Sequence, residues 1–255
     1  MDPRYIIAGF VVGTLIGFSG IGGGSLMTPL LIILFKVNPL IAVGTDLLYN
    51  APTKLLGAFV HGRQRTVNWG LTGYLAAGGA VGAFFALWAL VFARQHFDVT
   101  LVDRGIRHAV GAAIILAALV IVIVPLLRKS QQVPQASVET QRWKLAAIGT
   151  VVGVIVTITS IGAGAVTLPL LLLLFPEFEA NVLVGSDVAF GAILVPIAAA
   201  GHWSMHDVNL SICGTLLLGS LPGVYIGSRL SRVIPQRLLR PALAGILVLA
   251  GSRLI

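Results

Sequence analysis

The sequence predicts an all-α protein that crosses a membrane several times and consists of two related halves. Of its 255 residues, 57% are hydrophobic and 10% are charged, whereas soluble domains typically carry about 25% charged residues. Apolar runs of roughly 20 residues, enough to cross a bilayer, recur along the whole chain. Short alternating segments, which are typical of a membrane β-barrel, are not the pattern.

A glycine-rich motif that occurs twice predicts the two halves. The motif at residues 17–29 ends at Pro29, and a related stretch at 157–169 ends at Pro169, 140 residues later. Glycine lowers helix propensity, and backbone freed from helical hydrogen bonds is tolerated inside a membrane only where protein or water satisfies it. Matching breaks in two halves point to the binding site of a transporter.

The repeat continues beyond the motif at an offset of 141 residues. Residues 43–46 match 184–187, His61 matches His202, residues 67–68 match 208–209, and Gly78 and Gly82 match Gly219 and Gly223. The sequence therefore predicts a first transmembrane repeat at 1–127, a polar linker at 128–142 and a second transmembrane repeat at 143–255.

Each half is predicted to contain a broken helical block followed by three spanning helices. The blocks are residues 5–35 and 143–175. The spans are 40–60, 69–92 and 105–127 in the first half, and 181–201, 208–228 and 236–255 in the second. We expect no removable signal peptide before the first block, because no small-residue cleavage site follows its apolar run.

The direction of the halves depends on whether the blocks turn back. The arms of the first block, about 5–18 and 26–35, are too short to cross at ~1.5 Å per residue. Re-entrant blocks give inverted halves and divide the Lys and Arg residues ten to six, with Lys54 set aside. Single crossings give eight spans, parallel halves and an even division in which Lys36 and Arg253 lie on opposite sides. We predict the inverted arrangement, with both termini outside the cytoplasm.

Glycines at four-residue spacing predict close contacts between helices. The residues concerned are Gly13 and Gly17, Gly78 and Gly82, and Gly219, Gly223 and Gly227.

The breaks are the predicted binding site for an anion. A helix that restarts after a break presents free amide groups and the positive end of its dipole. The predicted substrate-binding residues are Ser19, Gly20, Gly22, Gly23, Gly24, Ser25, Lys54, Thr159, Ser160, Gly162 and Gly164. In the alternative interpretation, the glycines serve only packing and the hydroxyl groups bond their own backbone.

Two carboxyl groups and one lysine lie inside predicted spans. Asp46 and Asp187 are equivalent in the repeat. An ionisable group inside a membrane is costly and is a functional candidate, so proton coupling is one interpretation and a helix-start role the other. Lys54 has Val195 as its counterpart, and it either attracts an anion or pairs with an acid.

Other functional classes find little support in the sequence. His61 and His202 are expected to anchor span ends, and neither a metal site nor a cofactor is predicted. We find no nucleophile–base–acid set, so no enzyme is predicted. The net charge of +8 comes largely from residues in short connections, which set orientation and contact lipid and do not indicate nucleic acid.

With these residues established, the chain resembles the TauE/SafE family of membrane permeases, often called sulfite exporters. The resemblance rests on residues 17–25 with Pro29, on 44–47 running to Lys54 and His61, and more weakly on 219–223. It implies transport of sulfur-containing anions, such as sulfite or sulfonates, across a bacterial-type cytoplasmic membrane. The second motif has Thr157 in place of Gly17 and Ala163 in place of Gly23, so the halves need not act alike.

The predicted function is a secondary carrier for small sulfur-containing anions, coupled to protons through Asp46 or Asp187. The alternatives are a cation carrier or channel, and a membrane scaffold that transports nothing. The sulfur compound, the direction of transport, the coupling ion and the oligomeric state are not predicted.

Overall fold

A computed structural model describes residues 3–19, 24–127, 138–139, 141–175, 177–230, 245 and 247–255. Over these residues the chain forms helices and no strands, which confirms the all-α prediction. The helices are α1 (Pro3–Ser19), α2 (Gly24–Ile33), α3 (Pro39–Arg63), α4 (Trp69–His96), α5 (Val99–Leu127), α6 (Arg142–Thr159), α7 (Thr167–Leu174), α8 (Ala180–Ser204) and α9 (Leu210–Leu230). A helical segment at 247–252 follows.

The second predicted block is a broken helix, in which residues 160–166 separate α6 from α7. The break predicted in the first block, between α1 and α2, lies at residues 20–23, outside the described residues. In the second break the backbone is left-handed at Ser160 (φ 61°), Gly162 (φ 135°) and Gly164 (φ 105°). Only glycine adopts such angles without strain at the last two positions, so the motif ends α6 as the sequence predicts.

Several helices have the length that a bilayer requires. Among the described residues, α4, α6 and α8 are both long and apolar enough to cross. Helices α3, α5 and α9 contain 25, 29 and 21 residues, which exceeds the roughly 20 needed. Five predicted spans coincide with α3, α4, α5, α8 and α9. Most of the sixth, 236–255, and most of the linker lie outside the described residues.

Close glycine contacts join α1 to α9 and α4 to α6. A Cβ atom on any of eight glycines would collide with the backbone of the opposite helix: Gly9, Gly13, Gly78, Gly82, Gly149, Gly153, Gly219 and Gly223. The predicted packing role is confirmed for the five of these that the spacing identified; the surroundings of Gly17 and Gly227 lie outside the description. The same contact occurs twice. Gly78 contacts Ala146, and its equivalent Gly219, 141 residues later, contacts Ile6, which lies 140 residues before Ala146.

Hydrogen bonds repeat in the same way. The Asn68 amide donates to Ser186 Oγ at 2.9 Å, and the equivalent Asn209 amide donates to Thr45 Oγ1 at 3.0 Å. Both asparagines also accept from an amide three residues later, at the start of α4 and of α9. Each contact therefore connects a helix start in one half to a spanning helix in the other.

Contacts between α3 and α8 give their relative direction. Gly44, near the start of α3, lies against His202, near the end of α8, whereas Gly57 lies against Val188. The two helices therefore run antiparallel.

Helix α4 runs parallel to both α6 and α8. Along α6, Gly78 and then Gly82 meet Ala146 and then Thr150. Along α8, Thr72 Oγ1 donates to the carbonyl group of Ser186, and Leu87 further along α4 contacts Gly201. Because α6 and α8 point the same way and begin at the same level of α4, the chain between them turns back after the second break.

Candidate substrate-binding site at the second helix break

The second break is buried and polar. Thr157, Thr159, Ser160 and Thr167 each expose 7% or less of their surface. Thr159 Oγ1 donates to the Ile155 carbonyl group at 2.6 Å and accepts from the Ile161 amide at 3.1 Å. This hydroxyl group is therefore occupied by its own backbone, as the alternative interpretation expects.

The Ser160 and Thr157 hydroxyl groups are different, because each is buried without a hydrogen-bond partner among the described residues. Buried polar atoms in proteins are usually paired, so an unpaired one needs an explanation. A transported solute at the break is one explanation, which makes Ser160 a stronger candidate than Thr159.

The Gly162 carbonyl group organises the break. It accepts from the Val166 and Thr167 amides at 3.0 and 3.2 Å and from Thr167 Oγ1 at 3.1 Å. These bonds fix the start of α7. The preceding loop residues, 163 and 164, lie next to the ammonium and carboxyl groups described below.

Asp46 links α2, α3 and the second break. It is fully buried, and its two oxygens accept from Thr28 Oγ1 at 2.6 Å and from Asn50 Nδ2 at 2.8 Å. The Ser160 hydroxyl group lies near the same carboxyl group without forming a hydrogen bond to it. The sequence reasoning missed Asn50, although its position four residues after Asp46 puts it on the same helix face.

Asp187 approaches the break from α8. It exposes 2% of its surface, and among the described residues its Oδ1 atom has no hydrogen-bond partner. The Gly164 amide and the Lys54 ammonium group lie close to it. Neither α3 nor α8 has an acidic residue in its first turn, so both aspartates lie beyond the reach of a helix-start role.

Lys54 extends from the first half to the second break. It exposes 8% of its surface, and its Nζ atom donates to the Ala163 carbonyl group at 3.5 Å. Its side chain lies beside Gly191, where a Cβ atom would come within 3.4 Å of Nζ. No direct ion pair joins Lys54 to a carboxylate of the described residues.

The predicted residues of the first break are mostly beyond this description. Gly20, Gly22 and Gly23 lie outside the described residues. Ser19 ends α1, while Gly24 and Ser25 begin α2, and their side-chain surroundings are likewise undescribed. Their binding role stays a prediction.

His202 corrects the expectation of an interfacial anchor, because it is buried with 1% of its surface exposed. Its Nε2 atom must be the donor to the Thr157 carbonyl oxygen at 2.9 Å, since that oxygen only accepts. Its Nδ1 atom lies 3.7 Å from Asp207 Oδ2, and Arg94 forms an ion pair with Asp207. These polar partners offset the cost of burying the imidazole ring of His202. Among the described residues, no group of three His, Cys, Asp or Glu side chains has metal-binding geometry.

A comparison with known protein families shows the family of the chain. The family model described as "Sulfite exporter TauE/SafE" matches residues 5–254. The chain belongs to the TauE/SafE family. This confirms the resemblance found in the sequence, and it makes the chain a TauE/SafE membrane transporter.

Curated relatives extend over the same length. The chain is 39% identical to the probable membrane transporter protein YjnA of Bacillus subtilis, with 100% of both chains covered. It is 25% identical to the probable membrane transporter protein YdhB of Bacillus subtilis, over 96% of this chain and 98% of the relative. A probable membrane transporter protein of Methanocaldococcus jannaschii is 22% identical, over 98% of this chain and 93% of the relative. No solved structure matches the chain.

Proposed function

We propose that the chain is a secondary carrier that moves small sulfur-containing anions, such as sulfite or sulfonates, across the cytoplasmic membrane of a bacterial-type cell. The observation that carries this proposal is Lys54, a buried cation beside the loop of the second break. An anion there would meet an ammonium group, the Ser160 hydroxyl group and loop amides. The family description as a sulfite exporter supports the sulfur chemistry.

We propose further that transport is coupled to protons through Asp46 and Asp187. Both carboxyl groups face the same break, one through Ser160 and the other through Gly164 and Lys54. When both are ionised, their charge outweighs the single positive charge of Lys54 and repels an anion. When both are protonated, Lys54 dominates and the site favours an anion. Anion and proton should therefore bind together.

The proposed mechanism uses two inverted repeats, divided at the linker 128–142. Equivalent helices of inverted repeats run in opposite directions, and α3 and α8, which are equivalent at an offset of 141, run antiparallel. The turn-back between α6 and α8 agrees with a re-entrant block. One half rocking against the other would then expose the break to each side in turn.

The alternative with eight spans fits the contacts less well. It assigns Lys36 and Arg253 to opposite sides of the membrane, yet both line one cavity, together with Arg107. Re-entrant blocks put all three on the same side, with both termini outside the cytoplasm.

A cation carrier is the second candidate, and a specific observation favours it. Asp187 Oδ1 and Ser160 Oγ are buried oxygens without partners among the described residues. Carboxylate and hydroxyl oxygens are also the kind of ligand that a hard cation such as Na⁺ accepts. The test must therefore include a cation arm. Neither candidate function includes a chemical reaction of the transported solute.

Flux across the membrane of proteoliposomes that contain the protein tests the proposed function. Vesicles are loaded with sulfite, sulfate, thiosulfate and a two-carbon sulfonate in turn, with and without a pH gradient. Saturable, trans-stimulated movement of one of these anions that increases with the proton gradient is the expected result. Flux that follows a Na⁺ gradient and ignores pH would favour the second candidate, and no movement of any solute would remove the sulfur assignment.

A further inference from the structure

A basic cavity lies away from the breaks, at the end of the molecule where α2 gives way to α3. Its volume is about 560 Å³. Lys36 comes from the α2–α3 connection, Arg107 from α5 and Arg253 from the residues after the last helical segment. Ile32, Ile33 and Val37 supply an apolar wall.

The three cations of the cavity have no carboxylate partner in the part of the chain that the structure describes. No ion pair among the described residues involves Lys36, Arg107 or Arg253. Asp103, one turn before Arg107 on α5, instead accepts a hydrogen bond from Asn38 Nδ2. Arg107 Nη2 donates to the Arg253 carbonyl group at 3.3 Å, which holds the guanidinium group at the cavity wall. Three like charges converging on one space leave a place for an anion.

The surroundings of the cavity identify the kind of anion. Leu34 and Ile255, beside Lys36 and close to Arg253 in sequence, expose 69% and 64% of their surface. Large apolar side chains exposed at the end of a membrane helix belong against lipid. A phospholipid with a negative headgroup would put its phosphate among the cations and its glycerol and upper chains against the apolar wall. Basic pockets between membrane helices on the cytoplasmic side bind anionic headgroups through the same kind of charges, and the proposed topology puts this cavity at the opposite leaflet.

We propose that this cavity is a binding site for the headgroup of an anionic phospholipid, held by Lys36, Arg107 and Arg253. The site is separate from the substrate path, since none of its residues contributes to the second break. The headgroup would tie together the α2–α3 connection, α5 and the C-terminal residues. Binding should therefore stabilise the folded protein.

The test compares thermal unfolding of the purified full chain in detergent with added phosphatidylglycerol or phosphatidylcholine. The probe variants are Arg107→Gln alone and Arg107→Gln combined with Lys36→Gln. The control is Arg104→Gln, which lies on α5 like Arg107 but does not line the cavity. We expect phosphatidylglycerol to raise the unfolding temperature of the wild type more than phosphatidylcholine does. Each charge removed should weaken phosphatidylglycerol binding about fivefold, whereas Arg104→Gln should leave it unchanged.

Three results would overturn the proposal. One is an equal phosphatidylglycerol effect in the wild type and in the double variant. The second is an equal stabilisation by inorganic phosphate at the same concentration, which would make the cavity a site for soluble anions. The third applies even if the variants fail to fold: a wild-type preference for phosphatidylglycerol that does not fall with added salt excludes a headgroup held by charge.

Discussion

Replacement of Asp187 by asparagine should remove most of the pH dependence of anion binding. Asparagine keeps the shape of the side chain and removes its charge. An ionised Asp187 beside Lys54 opposes a bound anion, because it cancels the ammonium charge that attracts it. In the wild type, anion affinity should therefore rise as the pH falls and Asp187 takes up a proton. In Asp187→Asn only Asp46 still ionises at the break, so the affinity should fall much less as the pH rises.

The size of the effect follows from the geometry of the site. Asp187 and Lys54 both contact the loop at residues 163–164. We take about 6 Å for the separation between a bound anion and the carboxyl group, the outer end of the range over which neighbouring charges act on one another. At an effective dielectric constant of about 20, two unit charges at that distance repel by about 2 to 3 kcal/mol. The dissociation constant of the wild type should then rise roughly 30- to 150-fold when Asp187 ionises.

The assay must use an anion whose own charge stays constant. Thiosulfate and a two-carbon sulfonate remain ionised at neutral and mildly acidic pH, whereas sulfite takes up a proton. Ligand-induced stabilisation is measured at about pH 5.5 and about pH 8.5, which brackets the range in which buried carboxyl groups commonly exchange a proton. Asp103→Asn, which changes a carboxyl group bonded to Asn38 away from the break, is the control. An Asp187→Asn protein that keeps the wild-type pH dependence would refute the charge argument.

Three further substitutions test the site and the packing. Lys54→Met should weaken thiosulfate binding by about 10- to 100-fold, since a hydrogen bond to a charged group contributes about 1.5 to 3 kcal/mol. Lys54→Arg keeps the charge and should retain part of the binding. Equal binding by both variants would contradict the anion role of Lys54. Gly219→Ala should destabilise the protein by about 1 to 3 kcal/mol in thermal unfolding, because the new Cβ atom meets the Ile6 carbonyl group. Its control, Gly73→Ala, faces open space and should be neutral or stabilising. Gly162→Ala should cost about 1 to 3 kcal/mol, since its φ is 135°, and a normal unfolding temperature would exclude that strain.

The sequence predicts features of the fold that depend on nearby residues. Helix lengths follow from apolar runs, the second break follows from glycines at 162 and 164, and the close contacts follow from glycine spacing. In each case the physical cause lies within one segment of the chain. The antiparallel course of α3 and α8 depends instead on which helices pack together. In the sequence, only the uneven division of Lys and Arg residues between the two sides favours that arrangement.

The partners of the candidate site are less accessible to sequence reasoning. Asp46, Asp187 and Lys54 stand out because ionisable groups are rare inside spans. That Ser160 faces Asp46 while Lys54 meets Ala163 requires the packing of one half on the other. The burial of His202 was missed for the same reason, since its partner Thr157 lies 45 residues away in the chain.

The two halves differ most where charge matters. Lys54 of α3 contacts the second break, but its counterpart on α8 is Val195, which would bring an apolar side chain to the first break in a symmetric arrangement. The histidine network differs too, because His202 faces Asp207 whereas His61 bonds to the hydroxyl group of Thr66, the counterpart of Asp207. Among the described residues, Lys54 supplies a buried cation at the second break, so the proposed carrier should bind its anion there, one per chain and not two. The proposed inversion of the two repeats would then supply the alternating geometry.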